Sequence, residues 1–125
     1  MPLFRFTLLV AVLTGAGCAA ARPRATPVAP MPTGAPTLAL AASGQKFSTA
    51  ELRAPAGKAF GVRLRNDDRD VHNFELRDAT GKRVFVGELF SGPSERVEVL
   101  PALDAGRYAF LCTAHPYMQG QLLAE

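Results

Sequence analysis

The stretch KAFGVRLRNDDRDVHNFEL, Lys58–Leu76, decides the fold class. Phe60, Val62 and Leu64 alternate with Arg63 and Arg65. A period of two marks a half-buried strand, because successive side chains leave a strand on opposite faces. NDDRD then interrupts the pattern with turn-forming residues. VHNFEL resumes it, with His72, Phe74 and Leu76 on one side. The same alternation of short strand and turn extends both ways. TLALAA (37–42) and TAELRA (49–54) lie upstream, and RVFVGEL (83–89), ERVEVL (95–100), RYAFLC (107–112) and GQLLA (120–124) downstream. PAGK, DATGK, SGPS and PALDAG punctuate them. Short strands at this spacing predict an all-β sandwich over residues 37–125. No sustained helical period and no internal repeat occurs there.

Residues 1–36 read differently. MPLFRFTLLVAVLTGAGCAAA, residues 1–21, has one positive charge, an apolar run from Phe6 to Leu13 and then small residues, the layout of an export signal. The run is well short of the roughly 18–20 residues of a membrane span. TGAGC, ending at Cys18, resembles a bacterial lipobox, which implies lipidation of Cys18 and a lipid-anchored protein. It departs from that pattern at Gly15, where the usual leucine is absent. The alternative is a soluble exported protein cleaved near Ala19–Ala21. Residues 22–36, RPRATPVAPMPTGAP, hold five prolines and no apolar period. They predict a semi-rigid spacer of about 45 Å at about 3.1 Å per residue. The expected location is the periplasm or the outer face of a membrane.

Charge excludes one class of partner. Three of the fourteen basic residues, Arg5, Arg22 and Arg24, precede the domain, and residues 37–125 carry eleven basic and eleven acidic groups. Without a basic stripe, no nucleic-acid partner is expected.

The chain has two cysteines, Cys18 and Cys112, so the domain has no internal disulfide. An unpaired thiol in an exported protein needs burial or a bonding partner. FLCTAHPYMQG, residues 110–120, places Cys112, His115 and Met118 within seven positions, and His72 is the only other histidine. Taken singly, each reads as core: a satisfied histidine, a small buried hydrophobe, an apolar filler. Taken together, two imidazoles, a thiolate and a thioether suit copper in a blue-copper site. Structural zinc favours four Cys or His ligands, and the domain offers three.

VHNF and GRYAFLCTAHPYMQG carry a specific resemblance. The chain resembles the cupredoxins over essentially all of residues 37–125, and the two-residue gaps between Cys112, His115 and Met118 are similar to the amicyanin-type branch. Ala114 departs from that branch, which often has proline there. The resemblance implies a Greek-key β-sandwich holding one copper ion per chain. His72, Cys112 and His115 would be in-plane ligands and Met118 a long axial one. Asn73 would hydrogen-bond to the backbone near Thr113, tying the two ligand segments together. His115 would lie nearest the surface, among Pro116, Tyr117 and other apolar residues where redox proteins dock.

Three functions are in play. The first is a monomeric one-electron carrier between Cu(I) and Cu(II), with a cytochrome c, an oxidase or a dehydrogenase as partner. The second is a periplasmic copper chaperone or scavenger without redox turnover, which usually adds surplus Met or His; Met31 is the only further methionine after the initiator. The third is an enzyme. A Cys–His pair can act as nucleophile and base, but three residues apart on one turn they read better as metal donors. The expectation is therefore a carrier and not an enzyme.

Overall fold

The alternating residues of Lys58–Leu76 become the central strand of one sheet. In the computed structural model, which describes residues 30–125, this strand is β4 (Phe60–Asn66). The export signal, Cys18 and the spacer up to residue 29 lie outside the described residues. β4 pairs in parallel with β1 (Thr37–Ser43), from Thr37↔Gly61 to Ala42↔Asn66. Its other edge pairs antiparallel with β9 (Ser94–Leu100). β2 (Lys46–Phe47) folds back on β1, giving the order β2-β1-β4-β9.

The second sheet contains β3 (Glu51–Ala54), β6 (Glu75–Arg77), β7 (Arg83–Val86), β10 (Gly106–Leu111) and β11 (Gln119–Ala124). Its order is β3-β11-β10-β6-β7. A two-residue ribbon joins β5 (Val71–His72) to β8 (Phe90–Ser91). Among the described residues there is no helix, and the architecture is the expected all-β Greek-key sandwich.

Apolar alternation decides what each sheet buries. Phe60, Val62, Leu64 and Leu100 from the first sheet meet Leu76, Phe110 and Leu122 from the second, all fully buried, while Arg63 and Arg65 face solvent. Burying one such side chain stabilises by about 1.5–3 kcal/mol. Phe110 stacks on Phe74 at 5.7 Å between ring centroids and takes the edge of Phe47 at 5.4 Å. These aromatics lie directly beneath one end of the sandwich, the end with Asn66, His72 and Cys112.

The predicted strand VHNFEL is in fact two strands. Pairing breaks at Asn73 and Phe74, and His72 joins the ribbon instead of the main sheet. The break has a physical reason, because Asn73 spends its side chain on groups outside its own strand, donating from Nδ2 to Gly87 O at 2.8 Å. RVFVGEL likewise stops at Val86, where Gly87 N–H donates to Phe74 O at 2.9 Å. A Cβ on Gly87 would fall 2.6 Å from a Glu98 carboxylate oxygen and 3.3 Å from Phe74 O, so a larger residue there would have to displace the Glu98 side chain. The two-residue strands β2 and β8 are too short for any periodicity to reveal.

The chain enters the domain at the far end. Thr37 and Gly106 mark that end, whereas Ser43 and Leu111 reach the end with His72. Residues 30–36 are docked there: Ala35 N–H donates to Pro32 O at 3.0 Å, Gly61 N–H donates to Pro36 O at 2.8 Å, and Met31 packs on Gly61.

Gly120 tests the packing under the site. A Cβ there would run into the Phe110 ring and fall 2.8 Å from Ala50 O. Gly120→Ala should lower stability by about 1–3 kcal/mol, measured as a lower urea midpoint of the metal-free protein with unchanged slope.

Candidate metal centre

Three short segments converge at that end. β5 delivers His72, the residue after β10 is Cys112, and the loop before β11 carries His115 and Met118. The loop closes on itself, since Cys112 N–H donates to Met118 O at 3.0 Å and Met118 N–H to His115 O at 2.8 Å. These two bonds turn the chain tightly enough to bring Cys112 and His115 of one loop together, and Met118 at the end of the turn is buried.

Asn73 joins the loop to the β5 segment. Thr113 donates to Asn73 Oδ1 twice, from its N–H at 2.9 Å and from its hydroxyl at 3.1 Å. With Nδ2 given to Gly87 O, this buried amide makes three hydrogen bonds that reach two separate chain segments, the ligand loop at Thr113 and the segment after β7. An amide side chain can both donate and accept, and here each function anchors a different segment.

The donor atoms sit close together. Those of His72, Cys112 and His115 all lie within 4.8 Å of one another. Cys112 Sγ is 3.8 Å from His72 Nδ1 and 3.7 Å from His115 Nδ1. The two rings lie 4.9 Å apart, tilted by 48°. Cys112 and Met118 are buried. The His72 side chain is fully covered, whereas His115 keeps 15% exposed, so His115 is the imidazole that faces solvent. Pro116 and Tyr117 beside it are exposed.

Asp68 and Asp70 extend the cluster outward. Asp68 Oδ2 lies 2.9 Å from His72 Nε2. Asp68 also accepts Gly44 N–H at 2.9 Å and Gln45 N–H at 3.3 Å. The Gly44 bond, then the His72 bond, then that of Gln45 hold its carboxyl below the usual carboxylate range. An ionised carboxylate only accepts, so Asp68 favours the His72 tautomer with the proton on Nε2, the one whose Nδ1 lone pair faces Cys112. Asp70 Oδ2 lies 3.6 Å from His115 Nε2. Both aspartates belong to NDDRD, which the sequence offers only as a turn. No spacing rule connects a turn carboxylate to a histidine, so this part of the site was not legible there.

The profile of the cupredoxin-like domain matches residues 5–124. The chain belongs to the cupredoxin-like family. Within this family, the chain is 27% identical to amicyanin of Paracoccus versutus over 100 residues, covering 79% of this chain and 73% of that protein. It is 31% identical to amicyanin-alpha of Methylorubrum extorquens over 83 residues, covering 64% and 65% respectively. The crystal structure of the Paracoccus versutus amicyanin superposes with a TM-score of 0.57 at 25% identity, covering 78% of this chain and 88% of that one. Auracyanin A, a "blue" copper protein of Chloroflexus aurantiacus, shares the fold, with a TM-score of 0.63 at 20% identity over 72% and 99%.

The cofactor of this cupredoxin is copper. A cysteine sulfur flanked by two imidazole nitrogens is a soft, nitrogen-rich set that suits copper. The sulfur and one of the two imidazoles are buried.

Asn73→Ala removes three hydrogen bonds and leaves Gly87 O and Thr113 N–H without their partners. The expected cost is about 1–3 kcal/mol, read as a lower urea midpoint of the metal-free protein. Copper affinity should fall in the same variant, because the two ligand segments are no longer held together.

Proposed function

We propose that this cupredoxin is a one-electron carrier. The observation that supports the reading is the cluster itself: the donor atoms of His72, Cys112 and His115 all lie within 4.8 Å of one another, with Nδ1 of each histidine facing Sγ of Cys112. His72, Cys112 and His115, with buried Met118, would hold the copper. The copper supplies a Cu(II)/Cu(I) couple. The protein's part is to resist rearrangement between the two states, and the Asn73 bonds and the closed loop supply that resistance. Second partners of metal ligands fix ring orientation and tune the metal. Asn73, Thr113 and Asp68 have that role.

Nothing in the cluster serves to transform a substrate. Cys112 faces two imidazoles rather than a cleft, and it is buried. The exposed edge of His115, with Pro116 and Tyr117, is the exit for the electron and the docking surface for a redox protein. A cytochrome c, an oxidase or a dehydrogenase fits that description. The chaperone reading draws no support from Met31, whose sulfur packs on Gly61 at the opposite end.

The same reading extends to residues 1–36. Residues 1–21 are the export signal, Cys18 is the lipidated residue, and residues 22–36 are the spacer, the last part of which, from Met31 to Pro36, rests on the domain at Gly61. The domain is entered at Thr37, at the end away from the cluster, so an anchor there leaves the docking surface turned toward the periplasm.

Adding Cu(II) to the purified domain should give an intense blue or green colour with one ion per chain. Cys112→Ser should abolish the colour, and reduction should bleach it. Met118→Gln should lower the reduction potential and leave the colour largely intact. A colourless complex, or copper binding indifferent to loss of His72, would contradict the proposal. Slow electron self-exchange with ready copper release to an acceptor would favour the chaperone.

A further inference from the structure

The solvent-side imidazole is not free on its outer edge, and the residues that hold it belong to a separate, rigidly built loop. Asn66 is fully buried at the end of β4. Its Nδ2 donates to Asp70 O at 2.9 Å and to Phe90 O at 2.8 Å, and its Oδ1 accepts Asp68 N–H at 2.9 Å. Gly92 N–H donates to Asp68 O at 2.9 Å, and a Cβ on Gly92 would fall 2.6 Å from that oxygen. The backbone at residues 68 and 70 is therefore fixed from two sides, and two carboxylates two positions apart meet two different imidazoles.

Asp70 has a support of its own. Its Oδ2 accepts Gln45 Nε2–H at 3.0 Å, and Gln45 Oε1 accepts the Tyr117 hydroxyl. Gln45 occupies the β1–β2 turn at φ 57°, a left-handed conformation that non-glycine residues seldom adopt. Its own N–H and that of Gly44 donate to Asp68, so one turn is pinned by one aspartate and pins the other. Strain of this kind persists where the surroundings over-determine it.

We propose that Asp70, braced by Gln45, is a positioning residue for His115, which keeps the ring's Nε2 edge outward and its Nδ1 lone pair on the Cys112 side. The 3.6 Å separation makes this a charge contact rather than a full hydrogen bond. A carboxylate at that edge favours the tautomer protonated on Nε2, the one whose Nδ1 can donate to a metal. The same negative charge favours the more positive oxidation state of whatever metal Nδ1 holds, which lowers the reduction potential. Asp70 is half exposed, so solvent and salt reduce the effect without abolishing it. The part of the proposal concerning potential rests on the copper-carrier reading; the part concerning the ring does not.

Two readouts test it. Nitrogen-15 NMR of the metal-free protein at about pH 8, where imidazole is ordinarily neutral, should show His115 chiefly as the Nε2–H tautomer. Asp70→Asn should shift it toward a mixture, Asp70→Glu should restore it, and Gln45→Ala should shift it partway while leaving the charge in place. Asp67→Asn is the control, since Asp67 carries the same charge on the same loop but pairs with Arg65. In the copper-loaded protein Asp70→Asn should raise the potential at least twice as far as Asp67→Asn does. An unchanged tautomer in Asp70→Asn, or equal shifts from the two variants, overturns the positioning role. Failure of the wild-type protein to take up copper overturns the carrier reading alone, because the tautomer is measured without metal.

Discussion

The metal end of this protein depends on the Asn73 amide. It stands where a strand ought to continue, and its side chain bonds to Thr113 twice and to Gly87 O once. Those partners belong to the ligand loop and to the segment after β7. Backbone pairing between β6 and β10 ends at Glu75↔Leu111, so it does not itself join the segment of His72 to that of Cys112. The break in pairing is what frees the amide to fix one against the other. Sheet packing alone cannot do this, because apolar contacts are non-directional and set distances only loosely.

Around that joint, polar side chains impose direction and the aromatic core imposes position. Phe74 and Phe110 stack beneath the cluster, and Gly120 lets β11 pass close to the Phe110 ring. Above them, both imidazoles share one polarity, Nδ1 toward Cys112 and Nε2 toward a carboxylate. Asn66 stabilises the loop that supplies both carboxylates. A buried polar network of this kind costs desolvation energy unless its members are satisfied. Asn66 and Asn73 are satisfied, so the arrangement is rigid rather than merely tolerated.

Much of this was readable from residues 58–76 and 106–120. Alternation at Phe60, Val62 and Leu64 predicts β4 and its buried face, because period-two patterning is a direct consequence of strand geometry. The gathering of His72, Cys112 and His115 was expected from residue type and from the resemblance of the loop. What stayed hidden has a common cause. β2 and β8 are two residues each, too short to show a period. The break at Asn73 and the roles of Asp68, Asp70 and Gln45 arise from contacts between segments far apart in sequence. Turn composition announces a change of direction without saying where its side chains will point.

The central claim is that the fold, rather than the metal, sets the donor positions. Crystal structures of the metal-free and copper-loaded protein test it most directly. The account predicts that His72, Cys112 and His115 keep the same rotamers in both, with the Asn73–Thr113 and Asp68–His72 bonds intact. A metal-free structure in which His115 or Cys112 turns away from the cluster, or in which the loop 112–118 opens, would contradict it.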